Sequence, residues 1–131
     1  MALRWYTTVI DCLDVKAQSR WWAEALGWRV AVDKDDEVVV VPPHVLTEGA
    51  RLTPPAERGP GLVFVPVPEG KTVKNRLHID LAPLAGDDQA AEVRRLEALG
   101  ARRIDIGQGA RTWVVMADPE DNEFCVLSSR D

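Results

Sequence analysis

Cysteine, histidine, phenylalanine and tyrosine are all scarce in this sequence: two, two, two and one residue in 131. The two cysteines, Cys12 and Cys125, lie far apart in separate strand-like runs without paired-cysteine spacing. Neither a disulfide framework nor a zinc site built on paired cysteines is therefore expected, and both are expected as buried free thiols. Long hydrophobic runs are also missing. The opening "MALRWYTTVIDC" enters an alternating pattern at once, without the apolar segment and cleavage site of a signal peptide, and nothing later reaches the length of a membrane span. A cytoplasmic protein with no membrane contact is expected. Nor is there a basic stripe: the net charge is −5, the pI is near 5.0, and Lys and Arg are scattered. That pattern offers no footprint for a phosphate backbone, so nucleic acid is not an expected partner.

What is present is enough apolar residue for a core, 46% of 131 positions, which fits one domain over residues 1–131. Periodicity gives a strand over Trp5–Cys12, then a helix over Val15–Leu26 with Asp14 as its cap and Gly27 as its left-handed stop. Strands are predicted over Trp28–Val32 and Glu37–Val41, joined by the charged turn "DKDDE", and over Leu62–Val67. Residues 42–61, with five prolines and three glycines, form a long loop.

The same plan then recurs. A strand at "RLHIDLA" is followed by a helix over about Asp88–Leu99, capped by Asp87 or Asp88, then Gly100 and strands near 102–106, 112–117 and 123–128. The helix ends match in letters, "EALGW" against "EALGA", and both preceding strands carry Ile-Asp, at Ile10-Asp11 and Ile79-Asp80. This is an internal duplication, with unit one at 1–67 and unit two at 76–131. The predicted fold is α+β: two tandem βαβββ units forming one curved mixed sheet of about eight strands, with both helices on its outer face.

The segments "VIDCLDVKAQSRWWAEALGW", "NRLHIDLAP", "VRRLEALGAR" and "DPEDNEFCVL" resemble the vicinal oxygen chelate superfamily, and within it the glyoxalase-like domain proteins related to glyoxalase, bleomycin-resistance and dioxygenase proteins. The resemblance covers nearly the whole chain outside the Pro-rich loop. It implies a homodimer and a small-molecule ligand. Metal-dependent members use four ligands, and by resemblance His78 and Glu123 hold the two second-unit positions. The first-unit positions fall on Val9 and on one of Leu62, Val63 or Phe64, none of which binds metal. No cofactor is expected on that count. Were a divalent metal bound, His78 and Glu123 would be its ligands, with His44 of the long loop as the one histidine available to join them.

Strand parity sorts the faces. If Leu77, Ile79 and Leu81 face the helix layer, then Arg76, His78 and Asp80 face the other way. Likewise Phe124 and Val126 turn to the helices while Glu123 and Cys125 turn away, and Thr8, Ile10 and Cys12 are opposed by Val9 and Asp11. Candidate acid–base groups are His78, Asp80 and Asp11, the two carboxylates standing at equivalent positions. Candidate ligand contacts are Trp113, Arg76, His78, Glu123 and Val9. Five Trp is a high count. At least three are expected in the core, with one of Trp21 and Trp22 pointing inward and the other lying at a flank, and one or two lining a planar ligand's pocket. The predicted function is binding of a small aromatic or amphipathic molecule in the concave sheet without a complete metal site. The alternative is a lyase, isomerase or dioxygenase using His78 and Glu123 with a partial metal site, or Asp11 and Asp80 as acid–base groups.

Overall fold

A computed structural model describes residues 2–131. The chain divides into two compact units, one running to Gly70 and the other from Lys71 to Asp131. The first contains β1 (Thr7–Cys12), α1 (Val15–Leu26), β2 (Arg29–Asp33), β3 (Val38–Val41) and β4 (Gly61–Pro66). The second contains β5 (Ile79–Leu81), α2 (Gln89–Ala98), β6 (Arg102–Arg103), β7 (Val114–Ala117) and β8 (Glu123–Val126). Each unit forms a four-stranded mixed sheet, ordered β1-β4-β3-β2 and β5-β8-β7-β6. In each, the first strand runs parallel to the last, and the remaining pairs are antiparallel. The two orders are the same, which is the tandem βαβββ plan of an α+β fold.

The matched letters at the helix ends produce matched hydrogen bonds. Gly27 N–H donates to Glu24 O and Trp28 N–H to Ala23 O, while Gly100 N–H donates to Glu97 O and Ala101 N–H to Leu96 O. Both closures need a left-handed residue, and both glycines have positive φ, 66° and 115°. At the other ends, Asp14 accepts from Ala17 N–H and Asp88 from Ala90 and Ala91 N–H, satisfying donors that a helix leaves open.

On α1 the buried residues Val15, Ser19, Trp22 and, one face-width over, Trp21 and Ala25 form a helical stripe. That stripe packs on β3 and β4, whose Val38, Val40, Leu62 and Phe64 are buried. Trp21 and Trp22 are both buried, edge to face with ring centroids 5.1 Å apart, so neither lies at a flank. The expectation of three core tryptophans is not met: Trp5 is 69% exposed, Trp28 is half-buried and Trp113 is 36% exposed. Trp5 precedes β1 and turns back to donate its indole N–H to Thr7 O, and Trp113 precedes β7. Leu77 is also exposed, not turned to a helix layer. Because β5 begins only at Ile79, strand alternation does not govern Leu77. The predicted strand over 102–106 shortens to Arg102–Arg103. In the long loop three short 3-10 turns form at Pro43–Leu46, Glu48–Leu52 and Pro55–Glu57, two of them starting on prolines whose fixed φ suits a first turn.

The β7–β8 turn is built on the buried carboxylate of Asp118, which accepts from Glu120 and Asn122 N–H at 2.9 and 3.0 Å. It forces Asp121 to φ 68°, a left-handed value that Asp tolerates better than most side chains. Asp121→Val is expected to lower stability by about 1–2 kcal/mol, because a β-branched residue is disfavoured there. Asp121→Gly should stay within about 0.5 kcal/mol of the parent, since relief of strain offsets the added unfolded-state freedom. Urea denaturation of the two variants checks both values.

Candidate functional site

Pairing of β5 with β8 places Ile79 opposite Phe124 and Asp80 opposite Cys125. Side chains alternate along each strand, so Asp80 and Cys125 share one face and Ile79 and Phe124 the other. His78 lies two residues before Asp80 and reaches it: Nδ1 stands 3.1 Å from Asp80 Oδ1, with the two side chains 42% and 46% exposed. Donor atoms of His78, Asp80 and Cys125 all lie within 4.8 Å of one another. The row continues across the sheet to Val115, opposite Cys125 on β7, and Trp113 lies two residues before Val115 with the Arg111 guanidinium 5.8 Å above its ring centroid.

Cys125 is buried. Burial chiefly pushes its thiol up to about 11, with further help from the charge of Asp80 and a hydrogen bond to it, against a smaller opposing pull from Lys74. At neutral pH it is a protonated thiol, not a ready nucleophile.

Glu123 has a different environment. Lys71 Nζ donates to Oε1 and Asn75 N–H donates to Oε2, both at 3.0 Å. Burial pushes this carboxyl up, but the backbone hydrogen bonds from Asn75 and from its own N–H, with Lys71, outweigh it and hold the group below its usual value. Both oxygens are thus committed to fixing the 71–75 segment on β8.

The first unit repeats the frame without the donors. Asp11 stands opposite Val65 on the parallel β1–β4 pair, as Asp80 stands opposite Cys125, and Val9, equivalent to His78, is paired with Val63. Val9 is 57% exposed and Asp11 is also exposed. Arg76 is exposed beside His78. His44 sits in the first of the loop's 3-10 turns, where its carbonyl accepts from Thr47. An open cleft of about 350 Å³ lies in this loop, lined by Leu46, Arg51 and Arg58 among others. Sequence reasoning missed Cys125 as a neighbour of Asp80 and Lys71 as the partner of Glu123. The signal for the first was the duplication itself, since pairing the first strand with the last in both units brings Asp80 to Cys125.

A family model described as "Glyoxalase-like domain" matches residues 7–127. No curated protein matches the chain. Among solved structures, the chain is similar to the fosfomycin resistance protein FosX from Listeria monocytogenes, complexed with Mn(II) and sulfate, at 9% identity. That alignment covers 98% of this chain and 92% of the other, with TM-score 0.68. It is also similar to a glyoxalase/bleomycin resistance protein/dioxygenase family enzyme from Burkholderia phytofirmans PsJN, at 14% identity, 96% and 98% coverage and TM-score 0.66. A third, FosX from Mesorhizobium loti, matches at 11% identity, 97% and 92% coverage and TM-score 0.66. At these identities the likeness establishes the fold. No helix among the described residues is long and apolar enough to cross a membrane.

Proposed function

Since the chain belongs to the glyoxalase-like domain family, we propose that it binds a small aromatic or amphipathic molecule beside the half-exposed His78–Asp80 pair of the second unit, without the four-donor metal centre that the resemblance implies. The observation that carries this reading is the half-exposed His78–Asp80 pair, whose polar atoms remain reachable while Phe124, Cys125 and Val126 on the paired strand β8 are buried. Glu123 supports the second clause, because a metal there would compete with Lys71 at Oε1 or with the Asn75 N–H at Oε2, and Val9 offers no donor. Asp80 supplies the negative charge for a cationic or donor group, His78 orients that carboxylate, and Arg76 and Trp113 are the candidate flanking contacts.

The test is titration with planar aromatic compounds in cationic and neutral pairs, read by Trp emission. Asp80→Asn keeps the shape and removes the charge. It should cost a cationic ligand about 1.5 kcal/mol, roughly tenfold in Kd, and a neutral one much less. Equal losses for both, or none for either, would overturn the assignment of Asp80. The protein is further proposed to form a homodimer: each four-stranded sheet leaves two strands at its edges within its own unit, and such edges invite cover. Light scattering at tens of micromolar should return twice the 14.5 kDa chain mass.

A further inference from the structure

We propose that His78, Asp80 and Cys125 together form a zinc site with three protein donors and one open position. The imidazole, carboxylate and thiol are the three donor types that zinc prefers. Asp80 and Cys125 stand opposite one another on adjacent parallel strands, His78 lies just before β5, and the donor atoms of all three already lie within 4.8 Å of one another. Donors on a tetrahedral zinc stand about 3.3–3.8 Å apart, given bonds of ~2.0–2.3 Å. Side-chain rotations of the two half-exposed residues close that gap without moving the strands. Exposure of His78 and Asp80 also leaves a route for the ion to enter.

The internal repeat supplies the second argument. At the three equivalent positions the first unit has Val9, Asp11 and Val65, so one copy of this frame holds a single donor and the other holds three. A strand face needs neither His nor Cys to fold, as the first unit demonstrates. The set also excludes Glu123, whose oxygens are engaged by Lys71 and Asn75. On binding, the Cys125 sulfur–hydrogen bond breaks and a sulfur–zinc bond forms, with the proton released to solvent. A carboxylate bound to zinc no longer attracts a cation, so zinc and a cationic aromatic ligand are alternatives at Asp80. Zinc binding stands apart from the ligand reading, because it is measured with the ion alone.

The experiment is titration of the chelator-treated full chain with Zn(II) by calorimetry and with Co(II) by absorbance. One equivalent should bind, and cobalt should give a near-ultraviolet thiolate charge-transfer band together with the visible bands of tetrahedral coordination. Cys125→Ser should abolish the charge-transfer band. His78→Gln, at an exposed position that does not threaten folding, should weaken binding on the order of tenfold or more, and Asp80→Asn should do the same. Glu123→Gln, folded by circular dichroism, should bind cobalt with the parent spectrum. The proposal is overturned by absence of the charge-transfer band in the parent, by a band that survives Cys125→Ser, by parent-like affinity in His78→Gln, or by loss of the band in folded Glu123→Gln.

Discussion

Glu123→Ala is expected to lower the stability of the chain by roughly 3 kcal/mol, the lower end of the range for breaking a buried ion pair. The loss is large because two partners are stranded at once. Lys71 Nζ, on a side chain only 19% exposed, loses its carboxylate, and the Asn75 N–H loses its acceptor. The lower end applies because Lys71 retains enough exposure to swing its ammonium toward water. Glu123→Gln keeps an acceptor for Asn75 and should cost less, about 1–2 kcal/mol. A double-mutant cycle with Lys71→Met isolates the pair: the two losses should fall well short of adding, since each single change already strands the other group.

The same carboxylate gives a pH dependence with a definite sign. Its folded-state pKa lies below the ordinary value, burial being outweighed by the Asn75 and Glu123 N–H groups and Lys71. The unfolded state therefore binds a proton more readily than the folded one. The stability that Glu123 contributes is fully present above the unfolded value, near 4.3, and is lost as pH falls through the folded one. Urea midpoints measured from pH 6 down to pH 3 should fall for the parent more steeply than for Glu123→Gln. Parallel curves would sink this account of the ion pair.

How much was legible in the sequence depended on how local each signal was. Asp14, Gly27, Asp88 and Gly100 act within one turn of their own helix, and the predicted ends of α1 coincide with Val15–Leu26. Duplicated local signals then made the repeat visible. In β1 the strand faces were legible, with Val9 and Asp11 exposed against the more buried Ile10 and Cys12, and the reading failed at Leu77, where β5 has not yet begun.

The candidate site was legible residue by residue but not as a constellation. Its geometry joins residues 45 positions apart through strand pairing, and Lys71 reaches Glu123 across 52. Nothing local to Cys125 announces Asp80 as its neighbour, and "EFCV" reads as an ordinary buried strand. Parity put Glu123 and Cys125 on one face, yet the hydrogen bonds that commit Glu123 come from a segment without regular structure. The tryptophans erred in a similar way. Composition favours burying them, but Trp5 and Trp113 stand just outside strands, where no packing layer claims them.

Trp22→Ala is expected to be the most destabilising single truncation, at about 4 kcal/mol, from the loss of transferred area plus the cavity left behind. Trp22 is 2% exposed, and its stripe on α1 lies against β3 and β4. Its removal also takes away the edge-to-face contact with Trp21, whose ring plane lies at 80° to its own, an arrangement worth about 0.5–1.5 kcal/mol beyond area alone. Partial collapse is limited because β3 and β4, on which α1 packs, are paired strands whose buried Val38, Val40 and Phe64 cannot move in singly. Trp22→Phe retains most of the volume and should cost about half as much. Trp5→Ala provides the contrast: that ring is 69% exposed with one hydrogen bond to Thr7 O, and its loss should stay near 0.5 kcal/mol. Urea denaturation followed by far-ultraviolet circular dichroism, which does not depend on the number of tryptophans remaining, ranks the three. A Trp5→Ala loss equal to that of Trp22→Ala would show that the α1 stripe is not where the first unit's stability is concentrated.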